Sequence, residues 1–453
     1  MLVFRPMSPA RIPTRIYFRT LGCAKNQVDS EVMLGALALG GYAIAEELGD
    51  ADVAIVNTCS FIQSAREESV QEILELADCK ERGELQALVV AGCLPQRYGA
   101  DLAKELPEVD AFVGTGQFQN IAAILDEARA GRSKGVYVDA GRTHLYDESS
   151  PRLLIGARHS AYLKIAEGCD RVCAFCAIPG IRGKFQSRTL ESILAEAQQL
   201  AGQGVREINV ISQDTLSWAK DLDGRPRVDD LIRALDSVED LDWVRLLYLY
   251  PTALTDAVID ALAGAKRVLP YIDVPLQHAS DRVLRAMKRG VTAERQRKLV
   301  EKLRARIPGA VVRTTFIVGF PGETDADFAE LCDFVRETRF DRVGVFRYSD
   351  EDGTSAQSLG DKVPRAVSRK RHRELMKLQH GIMREMLATQ IGDTVRVLVD
   401  SGSSGYAVGR TWAQAPEVDG CVLLRGEART GELVHARITG LRDVDLEAEV
   451  VPG

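Results

Sequence analysis

No apolar run in this 453-residue chain approaches the roughly 20 residues a membrane-spanning helix requires; stretches such as "YAIA" and "LVVAGC" are far too short. The opening "MLVFRPMSPARIPTR" carries arginines but neither an apolar core nor a cleavage-like site. It reads as a frayed start, and the expected compartment is the cytoplasm. Cysteine is also sparse. Nine in a chain of this length are too few for a disulfide scaffold, and reducing surroundings disfavour bridges. The three tryptophans, Trp218, Trp243 and Trp412, have no spacing that suggests a base-stacking platform, so packing is their expected role. What remains is 45% hydrophobic and 27% charged, with 38 glycines. That is the composition of a globular protein rich in tight turns, long enough for two to four domains.

The few cysteines are unevenly placed: seven of the nine lie at or before Cys176, which points to metal chemistry early in the chain. From about residue 14 to 150, "RIYFRTLGC", "ADVAIVNTC" and "LQALVVAGC" each read as a strand ending in cysteine, with helix-length stretches between them, as βαβ units require. Cys23, Cys59 and Cys93 therefore occupy equivalent places past the carboxyl ends of parallel strands, the usual ligand edge of such sheets. Buried structural cysteines are the competing reading. Asn26, Asp29 and Asn57 are expected to cap turns and helices. Cys79, near a helix end in "ILELADCKERG", reads as a bystander. Residues from about 125 to 158 read as a linker with one short hairpin.

Between about 155 and 387, strands are expected at "AYLKIAEG", "VREINVIS", "WVRLLYLY", "PYIDVPL", "VVRTTFIVG" and "DRVGVFRYS", with helices between most of them. Six such repeats suit an open (β/α)6 barrel, two strands short of the closed form, with its site at the carboxyl ends of the strands. From about 388 to 453 helical periodicity disappears. The pieces "TVRVLVDS", "YAVGRTWAQ", "CVLLRGE" and "ELVHARITG", separated by glycine turns, suggest a small five-stranded antiparallel barrel of the nucleic-acid-binding kind. Its charge argues otherwise. Residues 391–453 hold ten acidic and six basic side chains, so a basic protein partner is at least as plausible as RNA.

Directly after the first barrel strand, "EGCDRVCAFCAIPGIRG" places Cys169, Cys173 and Cys176 within eight residues, with no histidine among them. Zinc wants four tetrahedral ligands, and no fourth cysteine or histidine is offered by spacing. A disulfide is the weaker competitor. Three soft thiolates on a short loop suit three irons of a 4Fe-4S cube and leave the fourth iron open.

The flanks carry more information than the spacing. "CDRVCAFCAIPGIRGKFQSR", with "LGCAKNQVDSE", "NTC" and "AGC" upstream, resembles the radical S-adenosylmethionine methylthiotransferases across nearly the whole chain. Within them, "LGCAKNQVDSE" and "YIDVPLQHASDRVLRAMKRG" are similar to the RimO branch, which modifies a β-carbon of aspartate in the twelfth small-subunit ribosomal protein. The tRNA-modifying branch more typically shows Gln-Met-Asn where this chain has Ala24, Lys25 and Asn26, and a serine and glycine in place of Gln277, His278 and Ala279. The resemblance implies an N-terminal cluster domain (14–150), a radical barrel (155–387) and a C-terminal TRAM domain (388–453). It implies two 4Fe-4S clusters, held by Cys23, Cys59 and Cys93 and by Cys169, Cys173 and Cys176 and facing one cavity. S-adenosylmethionine would serve as both methyl donor and radical source. The implied partners are a basic small-subunit ribosomal protein, a reducing electron donor and a sulfur source, with no membrane. tRNA adenosine is the alternative substrate, and a non-catalytic iron–sulfur ribosome-associated factor the alternative from another class.

Cofactor contacts are expected from Gln213 and Asp214, after the second barrel strand, and from Gly319, Gly322 and Glu323, where glycines permit close backbone approach. The competing reading makes the last three only turn and helix-start residues. His278 is expected near substrate or cofactor. Arg182 and Arg188 are candidates to pair with a carboxylate, with surface solvation as the other reading. Cys332 and Cys421 read as packing residues.

Overall fold

The structure is a computed structural model that describes residues 13–131, 135–139, 144–224 and 226–452. The chain forms two compact units that divide between Leu153 and Leu154.

In the first unit, strands β1 (Arg15–Thr20), β2 (Ala43–Ala45), β3 (Val53–Thr58), β4 (Ala87–Gly92), β5 (Ala111–Val113) and β6 (Gly135–Tyr137) form one sheet in the order β2-β1-β3-β4-β5-β6. Every pairing is parallel. Strands β3 and β4 are buried at every position, because helices cover both faces of the sheet. Leu76, Leu88 and Val90 pack on one face, and Met33, Leu37, Ile55 and Leu125 on the other. The sequence pattern marked only the three strands that end in cysteine. The other three have three residues each, too few for a pattern to register.

The expected linker is more structured than its composition suggested. It takes in the last turn of the helix Ile121–Arg129 and the sixth parallel strand, and no hairpin forms among its described residues. Arg152 near its end pairs with buried Glu31 at 2.6 Å.

The second unit contains the six expected barrel strands, all parallel to their neighbours: β7 (Ser160–Lys164), then, after the short antiparallel pair β8 (Ala166–Glu167) and β9 (Gln186–Ser187), β10 (Glu207–Ile211), β11 (Trp243–Leu246), β12 (Tyr271–Asp273), β13 (Val311–Val318) and β14 (Arg342–Arg347). They run as two three-stranded sheets, β11-β10-β7 and β12-β13-β14, with one bridge, Val244 to Val268, beside the seam. The arc is open, and Leu163, Ile208, Val244, Ile272, Val312 and Phe316 are buried in one apolar core with the covering helices, where Phe316 meets Phe334 of the helix Asp325–Thr338 edge-on at 6.2 Å.

Five strands close the C-terminal barrel: β15 (Thr394–Ser403), β16 (Tyr406–Arg410), β17 (Val422–Arg425), β18 (Leu433–Arg442) and β19 (Asp445–Val451). Four pairings are antiparallel, and the closing one, β17 with β19, is parallel. This small barrel docks on the amino-terminal ends of the large barrel's strands. Arg245, fully buried in β11, donates to Trp412 O at 2.8 Å, Gln414 O at 3.1 Å and Glu207 Oε1 at 3.1 Å. Arg410 meets Glu207 at 2.8 Å and Asp400 at 2.9 Å, His159 meets Asp400 at 2.9 Å, and the Tyr271 hydroxyl donates to Asp419 at 2.6 Å. Burial alone pushes the Glu207 carboxyl up, but Arg410 and Arg245 together hold it below the ordinary carboxylate range. The docking therefore rests on charges that each have a partner, a pattern that specifies one arrangement. Among the described residues, no helix is long and apolar enough to cross a membrane.

Candidate metal centres

Cys23, Cys59 and Cys93 lie where strand ends meet helix starts. Cys23 caps the helix Ala24–Leu39, and Cys93 opens the helix Cys93–Glu105. Amide N–H groups at such helix starts favour a thiolate. Cys23 is exposed, whereas Cys59 and Cys93 are buried. One side chain ties the three loops together. Asn26, fully buried, donates through Nδ2 to Leu21 O at 3.0 Å and Thr58 O at 2.9 Å, and its Oδ1 accepts from Cys93 Sγ at 3.5 Å. Asn57 donates to Asn26 O and Ser30 Oγ, each at 2.9 Å. Asn26, expected to cap a turn, instead holds the three cysteine loops in register. Cys79 is buried near the end of its helix, away from these loops in sequence, and accepts from Arg82 at 3.2 Å.

The later triplet follows β7 and β8 at the carboxyl edge of the large barrel. Gly168 makes the turn: its φ is +77°, and a Cβ there would lie 2.2 Å from Lys184 O. That close approach lets Cys169 N donate to Gly183 O at 3.1 Å. Ala174 N donates to Met287 O at 3.0 Å, which ties the loop to the segment after the helix Asp281–Ala286. Burial pushes the Cys169 thiol up to about 11 and the Cys176 thiol up to about 12. Thiolates form here only with help from a metal or a cation.

Among the described residues, no three Cys, His, Asp or Glu side chains converge as ligands of a single metal ion. Thiolates that bind different irons of a cubane stand farther apart than ligands sharing one ion, so the donor set suits a cluster better than zinc.

The other predicted residues divide in two. At the carboxyl edge, Gln213 Nε2 donates to Glu167 at 2.6 Å, and Asp214 Oδ2 pairs with Arg171 at 2.7 Å. Gln213 Oε1, Asp214 Oδ1, Gln277 Oε1 and His278 Nε2 are buried with no hydrogen-bond partner among the described residues. Asp214 is tied through Arg171 to Cys169 Sγ, whereas His278 Nε2 lies 3.9 Å from Glu323 Oε2; buried polar atoms are rarely left unpartnered, and this set past the ends of the barrel strands provides what a polar cofactor would need. His278 is fully buried, accepts from Ser280 N at 3.0 Å, and is held neutral, its pKa lowered by burial to about 3.

Gly319, Gly322 and Glu323 serve the local turn. Glu323 Oε2 accepts from Gly319 N at 2.5 Å and Phe320 N at 3.1 Å, while Oε1 pairs with Arg371 at 2.9 Å. A Cβ on Gly319 would sit 2.5 Å from the Ser368 side chain, so the close approach this glycine permits is that of a helix. Gly322 N donates to Asp361 O at 2.8 Å. Arg182 and Arg188 are both buried, which excludes the solvated reading. Arg182 pairs with Glu167 at 3.1 Å. Arg188 pairs with Glu196 and also donates to Ser192 and Lys164 O, so its guanidinium is spent on the fold.

Sequence reasoning missed Arg171, Tyr250 and Arg289. The Arg171 and Arg289 guanidinium carbons lie 3.8 and 4.3 Å from the Tyr250 ring centroid, and Arg289 Nη1 donates to Cys173 Sγ at 3.3 Å. The segment "RAMKRG" drew notice only as part of a resemblance; nothing local marks its second arginine as buried.

Residues 15–114 match the family described as Uncharacterized protein family UPF0004, residues 163–335 the Radical SAM superfamily, and residues 391–451 the TRAM domain. The chain is 48% identical over 442 residues to the ribosomal protein uS12 methylthiotransferase RimO of Anaeromyxobacter sp. (strain K), covering 97% of this chain and 93% of that protein. It is 48% identical over 436 residues to the protein of the same name from Trichlorobacter lovleyi, covering 95% and 97%. Among solved structures, the radical S-adenosylmethionine methyltransferase TsrM from Kitasatospora setae, with cobalamin and a [4Fe-4S] cluster bound, is similar at TM-score 0.55 and 14% identity, over 76% of this chain and 74% of that one. That likeness concerns the fold alone.

Proposed function

The chain belongs to the RimO family of ribosomal protein uS12 methylthiotransferases, and from that premise we propose how its residues divide the work. The enzyme transfers a methylthio group to uS12 with S-adenosylmethionine and two 4Fe-4S clusters; we place the new bond on an aspartyl β-carbon. Cys169, Cys173 and Cys176 hold the cluster that works with S-adenosylmethionine, and Cys23, Cys59 and Cys93 hold the other. When bound, these groups supply sulfur and one-electron chemistry, which an unactivated C–H bond requires because it offers no acidity to a side-chain base.

The protein's own residues position and exclude. Gln213, Asp214 and Gln277 offer acceptors to the ammonium and hydroxyl groups of the cofactor, and His278, held neutral and accepting from Ser280 N at Nδ1, carries its proton at Nε2 and offers a donor there. Gly319, Gly322 and Glu323 support the cofactor pocket from behind, by fixing the turn after β13. Arg182 acts with Glu167 to place Gln213, while Arg188 only braces the strand and helix beside it. The net charge of −4 in residues 391–453 favours a basic ribosomal protein over tRNA.

The observation that carries this reading is the meeting, at one barrel edge, of three thiols on one loop with buried polar atoms that the protein leaves unpartnered. Mass spectrometry of uS12 and of tRNA from cells lacking the gene tests it. The methylthio increment is expected to vanish from uS12 and to persist on tRNA; loss from tRNA alone would reverse the substrate assignment.

A further inference from the structure

Seven arginines of the described chain are buried: Arg182, Arg188, Arg245, Arg289, Arg342, Arg371 and Arg410. Six of them lie within ion-pair distance of a carboxylate. Arg289, only 3% exposed, has none among the described residues. A buried guanidinium without a counter-ion is costly, so its site must supply negative charge by other means. The surroundings say where. Nη1 donates to Cys173 Sγ at 3.3 Å, Nη2 donates to Pro275 O at 2.5 Å, and the plane lies against Tyr250, whose hydroxyl returns a hydrogen bond of 2.9 Å to Arg289 O.

The backbone fixes this placement. Lys288 and Gly290 both adopt positive φ, +56° and +65°, which ends the helix Asp281–Ala286 in a tight turn around Arg289. The hydrogen bond from Ala174 N to Met287 O joins that turn to the cysteine loop itself. Arg171, the other guanidinium on Tyr250, is neutralised by Asp214 at 2.7 Å. Lys164 and Arg182 share Glu167, and Arg289 is the cation placed against a cysteine sulfur of the loop.

We infer that Arg289 is a positioning residue that acts through Cys173: its fixed positive charge is the counter-ion of the cluster-bound thiolate and sets the reduction potential of the barrel cluster. This rests on the assignment of a 4Fe-4S cluster to Cys169, Cys173 and Cys176. Reduction adds one electron from a low-potential donor and no proton, so the site gains one negative charge. A cation at hydrogen-bond distance from a ligating sulfur stabilises that charge and raises the potential. Arg289 thereby makes the cluster reducible by cellular donors, and it does so without touching the substrate.

The test uses the full-length chain carrying Cys23→Ala, Cys59→Ala and Cys93→Ala, which leaves one cluster site, reconstituted anaerobically and titrated with titanium(III) citrate under electron paramagnetic resonance. Adding Arg289→Gln is expected to make reduction about tenfold less favourable, a midpoint about 59 mV more negative for one electron. Arg289→Lys, which keeps the charge, is expected to stay near the parent. If the glutamine variant fails to take up iron while the lysine variant succeeds, the requirement for charge at Cys173 is upheld in another form. A filled glutamine variant with the parent midpoint would overturn the inference, as would equal loss of iron from both variants, which would make Arg289 a packing residue. A parent that takes up no cluster would remove the cluster assignment itself, a failure distinct from the other two.

Discussion

The two ends of the large barrel are built from the same strands and treat polar groups in opposite ways. At the amino-terminal edge, Arg245, Arg410, Glu207, Asp400 and Asp419 interlock with one another and with the C-terminal barrel. At the carboxyl edge, Gln213, Asp214, Gln277 and His278 each keep a buried atom without a hydrogen-bond partner among the described residues, and buried Arg289 has no carboxylate partner among them. The first pattern is that of a joint whose charges answer one another. The second is that of a site whose missing partners come from outside the chain. Buried atoms stay unpartnered at the amino edge too, on Arg245, Arg342 and Gln414, but there each is a donor on a residue already tied into the joint, whereas the carboxyl edge leaves amide and carboxylate acceptors open.

The comparison is broken most severely at the carboxyl edge by replacing Cys169, Cys173 and Cys176 with alanine. The methylthio product on uS12 is expected to fall below detection, and iron in the reconstituted protein to drop by half, from about eight atoms per chain for two 4Fe-4S clusters. The folded structure, followed by circular dichroism, should persist.

At the amino edge the expected outcome is the reverse. Arg410→Met leaves Glu207 and Asp400 short of their partner and should cost about 3–5 kcal/mol in urea unfolding of the second unit. Iron content and cleavage of S-adenosylmethionine per folded molecule should be unchanged.

Acid sharpens the contrast at smaller scale. His278 has a folded pKa of about 3, below the ordinary 6.5, so the unfolded chain binds the extra proton and stability is lost as pH falls below 6.5. Between pH 7 and pH 5 this amounts to about 2 kcal/mol. Glu207 is held below the ordinary carboxylate value of 4.5, so its contribution is complete above that value and is lost only as pH falls below it. Acid weakening between pH 6.5 and 4.5 therefore belongs to the carboxyl edge. His278→Gln should flatten the denaturation midpoint across that interval.

Most of the carboxyl edge was legible from residues alone, because strand ends followed by cysteine are local signals. The six barrel strands lay where apolar runs placed them, and Cys169, Cys173 and Cys176 lay past the first. What escaped depends on distant pairing. Arg188 reads on paper as a charge beside a cluster loop, yet Glu196, two helical turns on, claims it. Gly319 suggested room for a ligand, and Ser368 fills that room. Nothing local in "RAMKRG" marks Arg289, because only the turn at Lys288 and Gly290 carries it to Cys173. The amino-edge joint was invisible because Glu207 and Arg410 lie about 200 residues apart.

The central claim is that the Cys169, Cys173 and Cys176 cluster keeps one iron free of protein ligands for S-adenosylmethionine. Electron–nuclear double resonance on the reduced single-cluster chain, with the cofactor labelled with nitrogen-15 at its amino group, tests this directly. A hyperfine coupling from that nitrogen, lost when the cofactor is omitted, is the predicted result. A filled cluster that shows no such coupling, or one from a protein nitrogen instead, would contradict the account.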